Sequence, residues 1–415
     1  MGRVGEIGPL KILLVNDAST RSGGAEIMSL TLRDCYRERG HEAVLFSSRA
    51  VYGKSPVEAD HTCFGSTSPL RQVLRVANPS AWNEIRKVVS RFRPDIVHLR
   101  MITTQLSPMI LPALRGYPTI YHASWHEMVC PNGLKMLPDL SPCTYSAGVE
   151  CWRQGCLSTI AWPGLLLQLR LLNHWRSCFH RVVANSQYLR SRLCEEGWDD
   201  VADVEVILNG VPVVTQRASL NDVPTIGFAG RLCPEKGAGE LVDAFAILRS
   251  DLDNARLVIV GDGPDRQRLE RKCESLGISD SVTFTGKLSR DQADSVLRQV
   301  WVQAVPSICQ ESFGLVAAEA QMRGTAVVAT RRGALPEVVV DGETGLLVDA
   351  SSPIELAKAL SRILRDKDLA ERLGQSGRTR AMARFRLDDC VSSFLDLYSR
   401  VLMEHRANPT VGVVR

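Results

Sequence analysis

Long apolar runs are missing from this sequence of 415 residues, and its first residues predict no N-terminal leader. Residues 1–9 hold one basic residue and no apolar core of a signal peptide. The apolar run at residues 12–15 is far shorter than the roughly 20 residues that a spanning helix needs. We therefore expect a cytoplasmic protein, with peripheral contact at the inner membrane face left open.

Strong net charge is also missing, because 50 Lys and Arg and 46 Asp and Glu leave a net charge of +4. A net charge this small does not predict nucleic-acid binding. Twelve cysteines are too few in a chain of this length to predict a disulfide framework. Basic residues do gather in residues 71–115, where a solvated helix face or a surface for an anionic membrane or acidic acceptor explains them. They are Arg71, Arg75, Arg86, Lys87, Arg91, Arg93, Arg100 and Arg115.

Short apolar segments alternate with helical stretches in two series. The first comprises residues 11–15, 41–46, 95–98, 119–121 and 181–184. The second comprises residues 225–229, 256–260, 282–284, 303–305 and 326–329. Because such runs are typical of buried parallel strands, each series predicts a doubly wound, Rossmann-like α/β sheet.

The second series begins after a polar stretch, which predicts an N-terminal domain over residues 1–214 and a C-terminal domain over residues 215–385. We expect residues 386–415 to form a terminal helix and tail, because apolar residues such as Phe394 and Tyr398 recur there at helical spacing. We expect this helix to pack back on the N-terminal domain. Ligands of such sheets bind beyond the carboxyl ends of the strands, so two facing sheets predict a cleft.

Two cations converge on one predicted strand-to-helix loop. Arg231 directly follows a strand, and Lys236 precedes Gly237 at the start of a helix, where backbone amides favour anions. A diphosphate suits this loop, and solvated side chains are the alternative.

A pair of glutamates lies further along, at Glu311 and Glu319. Ser312 is placed to cap a helix, whose first amides would point at a ligand approaching Glu311. Those amides belong to Phe313, Gly314 and Leu315. An incidental pair of acids on an amphipathic helix is the alternative.

Two glycine pairs follow predicted strands. Gly23 and Gly24 let the backbone approach a phosphate or an acceptor closely, or simply form a tight turn. Gly261 and Gly263 lack the third glycine of a dinucleotide fingerprint, and Pro264 follows them, so we interpret them as a strand-to-helix turn.

These motifs together resemble glycosyltransferase family 4, a retaining group with the GT-B fold, in which two Rossmann-like domains face each other across a cleft. The resemblance covers nearly the whole chain and is strongest over residues 225–348. It is carried by Ser22-Gly-Gly-Ala-Glu26, Asn185-Ser186, Asn209-Gly210-Val211, Gly230-Arg-Leu with Glu235-Lys-Gly237, Val260-Gly-Asp-Gly-Pro264, the glutamate pair, and Gly342-Glu-Thr-Gly-Leu-Leu-Val348.

The resemblance implies hexosyl transfer from a UDP-, GDP- or ADP-sugar to a hydroxyl of a glycan, a lipid-linked or a small-molecule acceptor. Arg231 and Lys236 would neutralise the diphosphate, Glu311 would hold sugar hydroxyls, and Glu319 would hold the ribose. No Asp-x-Asp metal motif stands in a plausible loop, so we expect no cofactor and no metal. The implied donor-binding residues are Gly23, Gly24, Arg231, Lys236, Phe313, Gly314, Leu315 and Glu319.

The sequence departs from the family at one position. Many relatives place a histidine six residues after a proline in the first domain, and counting from Pro118 gives Ser124. His122 and His126 flank Ser124 at intervals of two, so in an extended segment all three side chains face one way. The candidate catalytic residues are therefore Glu311, His126, His122 and Ser124. Altered acceptor chemistry or weak activity is the alternative.

Four cysteines cluster in an insert at about residues 130–156. Their spacing lacks a CxxC pair, so we favour unlinked thiols over a zinc site or a disulfide. They are Cys130, Cys143, Cys151 and Cys156. The apolar segment that follows, residues 160–172, is interrupted by Arg170 and predicts a buried helix, with an interfacial helix touching lipid as the alternative.

Three other functions fit parts of the sequence: a sugar phosphorylase, a sugar-nucleotide epimerase, and a catalytically silent protein that binds a sugar nucleotide. The first two share the two-domain cleft. The third rests on Ser124 alone.

Overall fold

Each predicted series of strands forms its own sheet in the computed structural model, which describes residues 8–21, 23–51, 56–200, 202–214 and 219–407. The first sheet has the order β3-β2-β1-β4-β5-β6-β7 and the second β10-β9-β8-β11-β12-β13, with every pair parallel. The predicted pair of Rossmann-like sheets is confirmed. The strands are β1 Lys11–Val15, β2 Glu42–Ser48, β3 His61–Cys63, β4 Ile96–Leu99, β5 Thr119–Ala123, β6 Arg181–Ala184, β7 Val204–Val206, β8 Thr225–Ala229, β9 Arg256–Val260, β10 Val282–Gly286, β11 Val302–Val305, β12 Ala326–Thr330 and β13 Gly345–Val348.

The α-helices run between the strands, and a long one ends the described chain. They are α1 Gly24–Glu38, α2 Arg71–Val76, α3 Pro79–Phe92, α4 Glu150–Arg153, α5 Ala161–His174, α6 Gln187–Cys194, α7 Ala238–Arg249, α8 Arg266–Ser275, α9 Arg290–Leu297, α10 Leu315–Arg323, α11 Leu335–Val338, α12 Pro353–Leu364, α13 Lys367–Arg384 and α14 Leu387–Ala407. Short 3-10 helices occur at Pro108–Leu114, His126–Met128, Arg176–Cys178, Pro234–Lys236 and Ser279–Ser281. No helix in the described ranges is both long enough and apolar enough to cross a membrane.

Backbone contacts divide the chain into two units. The first unit comprises residues 1–207 and 390–415, and the second comprises residues 208–389. The sequence places the boundary seven residues later, at residue 215, and residues 215–218 lie outside the described part of the chain.

The first unit gains its last helix from the far end of the chain. Tyr398 of α14 hydrogen-bonds Tyr36 of α1 at 2.8 Å and His98 Nδ1 of β4 at 2.6 Å, all in the interior. Phe394 adds ring contacts with His98 and His122, at centroid distances of 4.9 and 4.8 Å. The apolar face of α14 therefore completes this core, as the sequence predicts.

Glycines bring two loops of the second unit together. Gly237 has a positive φ of 72°, and a Cβ added there would lie 1.9 Å from the carbonyl oxygen of Pro306, so only glycine lets the loop after β8 lie against the segment after β11. A Cβ at Gly261 would lie 1.8 Å from the carbonyl oxygen of Gly230. Gly261 stands between β9 and α8, which confirms the predicted strand-to-helix turn.

Two expectations for the first unit need correction or refinement. Arg86, Lys87 and Arg91 lie on the exposed face of α3, but Arg100 follows β4 and is only 1% exposed, so the solvated-face interpretation is wrong for Arg100. The segment at residues 160–172 forms helix α5 with one buried face, yet Ile160, which precedes it, is 95% exposed.

Candidate active site

An ion pair between Lys236 and Glu311 is the centre of the predicted donor site in the second unit. Lys236 Nζ lies 2.6 Å from Glu311 Oε1, and the two side chains are 23% and 12% exposed. Ser307 Oγ donates to the same carboxylate oxygen at 2.7 Å, and the Cys309 thiol contacts it at 3.8 Å. The structure thus brings together two residues that are 75 positions apart in the chain.

Both partners of this pair are held in their charged forms. Burial raises the pKa of Glu311, but the Lys236 charge and the hydrogen bonds on Oε1 outweigh burial and leave that pKa below its ordinary value. Burial lowers the pKa of Lys236, whereas the Glu311 carboxylate raises it, and the net change is upward. The Cys309 thiol stays neutral because burial raises its pKa.

Arg231 stands on the same loop as Lys236 and reaches toward water. Its side chain is 65% exposed, and its guanidinium pairs with Glu235, four residues further along the chain, at 3.1 Å. An exposed pair of this kind contributes little to stability and exchanges readily. Arg231 is therefore available to an anion that arrives at the loop.

The helix after Glu311 begins later than the sequence suggests. α10 starts at Leu315, and its N-cap is Gly314 with a positive φ of 96°, so the expectation that Ser312 caps it is wrong. A Cβ at Gly314 would lie 2.7 Å from Leu335 Cδ2, which explains the glycine. Phe313 is buried with its ring against Phe385 at 5.7 Å, so its backbone is the part left to meet a ligand.

Glu319 lies in a second charged group, whose members come from α9 and α10. Arg290 Nη2 is 3.1 Å from Glu319 Oε1, and Arg323 binds Asp294 at 2.7 Å and Gln303 at 2.6 Å. Desolvation raises the pKa of Glu319 in spite of the two nearby arginines. The four charged residues line an open pocket of about 330 Å³.

The glycine pair of the first unit stands where predicted, at the start of a helix. Gly23 is the N-cap of α1, and Gly24 is its first residue. A Cβ added at Gly23 would lie 2.4 Å from Glu26 Oε2. Ser22, the first residue of the predicted motif, lies outside the described residues.

The segment around Ser124 is not extended throughout. β5 ends at Ala123 and a 3-10 helix begins at His126, so the expectation that His122, Ser124 and His126 share one face is wrong. Both histidines are fully buried, whereas Ser124 is only partly buried. The ring of His126 lies 5.8 Å from that of Tyr188.

His122 belongs to a buried polar network instead. Its Nδ1 is 3.2 Å from His98 Nε2 and 3.4 Å from Arg100 Nη1. Arg100 Nη2 also donates to Ser124 Oγ at 2.6 Å. Burial, with the Arg100 charge nearby, lowers the pKa of His98 and of His122 well below the ordinary value, so these two histidines are neutral.

A second buried acid follows His126. Glu127 accepts a hydrogen bond from Thr103 Oγ1 at 2.5 Å and another from the Tyr121 hydroxyl. Burial raises the pKa of Glu127 to about 7. Asp17, by contrast, accepts four hydrogen bonds from residues 104–106 at 2.7 to 2.9 Å and fixes the loop after β4.

The four clustered cysteines line one small cavity in the first unit. The structure describes all four as free thiols. Within the described ranges, no group of three or more His, Cys, Asp or Glu side chains is arranged to hold a metal ion. Two of the thiols donate hydrogen bonds to different acceptors. Cys130 Sγ donates to Asn132 Oδ1 at 2.9 Å, and Cys156 Sγ donates to the Met136 carbonyl at 3.8 Å.

Two adjoining family models match the sequence. Glycosyltransferase Family 4 matches residues 22–214, and Glycosyl transferases group 1 matches residues 213–380. The chain belongs to glycosyltransferase family 4.

Curated relatives of the chain are named as glycosyltransferases, and a solved structure shares its fold. The chain is 32% identical over 233 residues to the GDP-mannose-dependent alpha-(1-6)-phosphatidylinositol monomannoside mannosyltransferase of Mycobacterium tuberculosis, covering 52% of this chain and 60% of that protein. It is 34% identical over 252 residues to the D-inositol 3-phosphate glycosyltransferase of Salinispora tropica, covering 54% and 52%. Sucrose-phosphate synthase from Thermosynechococcus elongatus shares the fold at 21% identity and a TM-score of 0.71, covering 95% of this chain and 99% of that one.

Several residues of this candidate site carry no assignment from the sequence. Ser307 and Cys309 precede Glu311 by four and two positions. In an extended segment this spacing places the three side chains on one face, and it is the signal by which the sequence could indicate their contact. Arg290 lies 29 residues from Glu319, and Arg100 lies 24 residues from Ser124, so neither contact leaves a local pattern.

Proposed function

We propose that the protein is a retaining, metal-independent glycosyltransferase that moves a hexosyl group from a nucleoside-diphosphate sugar to an acceptor hydroxyl. The paired Lys236 and Glu311 carry this proposal. Their charges stand at the ends of β8 and β11, where ligands of Rossmann-like sheets bind. A half-buried cation and a buried carboxylate side by side suit a substrate that has a diphosphate next to a hydroxylated sugar.

The two oxygens of the Glu311 carboxylate have different roles in this proposal. Lys236, Ser307 and Cys309 all meet Oε1 of Glu311. Because they fix the orientation of the group, we assign the other oxygen, Oε2, to sugar hydroxyls. An ionised carboxylate accepts stronger hydrogen bonds from hydroxyls than a neutral group does.

Lys236 can serve both partners at once. Its ammonium has three donors, so one can remain on Glu311 while others meet phosphate oxygens. Arg231 adds a second positive charge from the same loop. Together they stabilise the diphosphate as the bond between it and the anomeric carbon breaks.

The transfer itself follows the family's retaining scheme. The acceptor oxygen bonds to the anomeric carbon on the face from which the nucleoside diphosphate leaves, and the departing phosphate takes the acceptor proton. Glu311 is then a positioning group for the sugar rather than a nucleophile. Glu319 receives the ribose hydroxyls in the same proposal, with Arg290 orienting its carboxylate.

A donor screen tests this function. Purified protein is scanned for thermal stabilisation by UDP-, GDP- and ADP-hexoses, where a donor at 100 times its Kd adds roughly 2.7 kcal/mol. Release of nucleoside diphosphate is then followed with glycan, lipid-linked and small-molecule acceptors, and the anomeric configuration of the product is read by NMR. We expect stabilisation, diphosphate release and retention.

Each alternative gives a different result in the same experiment. Tight donor binding without release indicates a silent binding protein, and release of phosphorylated sugar with consumption of inorganic phosphate indicates a phosphorylase. Interconversion of two sugar nucleotides indicates an epimerase. A product of inverted configuration contradicts the retaining mechanism.

A further inference from the structure

A short hairpin in the cysteine-bearing insert of the first unit carries Cys143. Met136 pairs with Pro142 in an antiparallel bridge, which forms the hairpin. The Cys143 amide donates to the Lys135 carbonyl at 3.0 Å and closes it. Cys143 therefore has a fixed place directly beyond the residue that pairs with Met136.

Cys156 contacts the same hairpin. It lies three positions beyond the end of α4, and its Sγ donates to the Met136 carbonyl at 3.8 Å. The Leu157 amide donates to the Cys151 carbonyl at 2.9 Å, which closes the turn after α4. Contact with Met136 thus brings Cys156 close to Cys143, although 13 positions of the sequence separate the two cysteines.

The two thiols also line one cavity, which they share with Cys130 and Cys151. Its volume is about 10 Å³, which is room for roughly one water molecule and too little for an organic ligand. Burial raises the pKa of Cys156, and among the neighbouring thiols Cys143 contributes most to that rise. This order agrees with the contact through Met136 and indicates Cys143 as the partner of Cys156.

We propose that Cys143 and Cys156 form a site of reversible oxidation, at which a small-molecule disulfide such as glutathione disulfide joins the two thiols. One protein thiolate attacks a sulfur of glutathione disulfide and releases a glutathione thiolate, and the second protein thiolate then displaces the bound glutathione. The two cysteines lose two electrons to glutathione disulfide, and their two protons pass to the two glutathione thiolates. This site goes beyond the proposed glycosyl transfer and does not depend on it.

Oxidation adds a covalent link inside the insert. Hydrogen bonds hold the hairpin and the segment after α4 together in the thiol form. The insert begins shortly after β5 ends, and there the Cys130 amide donates to the His126 carbonyl at 2.8 Å. A disulfide restricts the motion of the segment that it closes, so oxidation stiffens the chain beside this edge of the first sheet.

Mapping of tryptic peptides tests the proposal. Purified protein is incubated with glutathione disulfide, its free thiols are blocked with iodoacetamide, and the denatured chain is digested without reductant. Trypsin leaves Cys143 and Cys151 in peptide 136–153 and Cys156 in peptide 154–170. We expect these two peptides to be linked, fragmentation of the linked pair to identify Cys143 as the bonded residue, and dithiothreitol to remove the link.

Four variants separate this pair from the other thiols. Cys143→Ser and Cys156→Ser should each lower the amount of linked peptide about tenfold or more, because a disulfide needs two sulfur atoms in register. Cys151→Ser should keep the link. Cys194→Ser is the matched control, because Cys194 is a partly buried cysteine of α6 that does not line the cavity.

Three results overturn the proposal. The first is wild-type protein that forms mixed disulfides with glutathione but no linked peptides. The second is a link that survives in Cys143→Ser, which assigns it to another cysteine. The third is one zinc ion per chain in the reduced protein that both Cys143→Ser and Cys156→Ser lose, which makes the thiols metal ligands. Mapping and metal analysis of the wild-type protein decide even if a variant fails to fold.

Discussion

The charged residues of the two candidate sites, one in each unit, have different kinds of neighbours. In the second unit, cations and carboxylates are paired, as Lys236 is with Glu311 and Arg323 with Asp294. In the first unit, the buried cations Arg33 and Lys135 are paired with carboxylates as well, but neutral histidines and tyrosines surround Arg100. A site whose charges are already paired keeps its geometry without a ligand, whereas an unpaired cation gains most when a ligand brings the missing charge.

Breaking the central pair of the second unit should have the largest effect. We expect Lys236→Met to lower kcat/KM by about 10²- to 10³-fold, because the diphosphate loses a preorganised cation. The variant should also lose on the order of 3 kcal/mol of stability, because it leaves the Glu311 carboxylate buried and unpaired. Steady-state kinetics and chemical denaturation measure the two losses.

Two further variants separate stability from activity at this pair. Lys236→Met combined with Glu311→Gln should recover stability without recovering activity. Lys272→Met is the matched control, because Lys272 pairs with Asp243 at 2.6 Å on the surface of the same unit. Full activity in Lys236→Met would remove the basis of the proposed donor site.

The pair also predicts how stability depends on pH. The pKa of Glu311 is lower in the folded protein than its ordinary value, so its contribution is fully present above the unfolded pKa and is lost as pH falls through the folded pKa. Wild-type protein should therefore lose more stability below about pH 4.5 than Glu311→Gln does. Denaturation curves from pH 7 to pH 3 compare the two proteins, and parallel curves would show that this carboxylate is not stabilised by Lys236.

Glu319 should affect donor binding with a smaller loss. We expect Glu319→Gln to raise the donor KM about tenfold to a hundredfold with little change in kcat, because a neutral amide is a weaker acceptor for ribose hydroxyls. The pKa of Glu319 is raised, so wild-type donor affinity should begin to fall at a higher pH than an ordinary glutamate would allow, and the variant should lack this fall. Calorimetry between pH 7 and pH 5 tests both points, with Glu270→Gln on α8 as the control.

The sequence predicts the two units unequally well. Strands such as Arg181–Ala184 and Thr225–Ala229 were predicted to the residue, because continuous apolar runs between polar loops are a strong local signal. β3 and β7 have three residues each and leave no such signal. The charged residues of the candidate donor loop, Arg231 and Lys236, stand out in the sequence because they lie between a strand and the helix that follows it.

The first unit's site was harder to predict because its contacts are distant in sequence. Arg100 lies within the basic segment at residues 71–115, and no local pattern sets it apart there. It follows the end of β4 by one position, which places it beside β1 and β5. The interpretation of three side chains on one face failed because the chain turns into a 3-10 helix at His126. Tertiary contacts, and not residue spacing, determine this part of the molecule.

Substitution of the buried histidines His122 and His126 tests whether the first unit takes part in sugar transfer. If one of them replaces the histidine expected at Ser124, His126→Ala or His122→Ala should lower kcat about tenfold, the worth of one strong hydrogen bond. Thermal melting must accompany the assay, because each change also removes a buried ring. His174→Ala, at an exposed histidine of α5, is the control. Near-normal rates in both buried variants would discard a catalytic role for these histidines.

Removal of metal ions should have the smallest effect on the rate. It tests whether the charges of the second unit are sufficient without a metal ion. A divalent cation in a transferase neutralises the departing diphosphate, and Arg231 and Lys236 already place two positive charges on the loop after β8. We therefore expect EDTA to change the rate by less than about twofold, since the same charge is supplied by the protein. The assay needs metal-free buffers and added Mg²⁺ or Mn²⁺ in parallel. If EDTA abolishes turnover and either ion restores it, the two cations of the loop do not suffice for the leaving group, and the charge arrangement of the second unit is then as incomplete as that of the first.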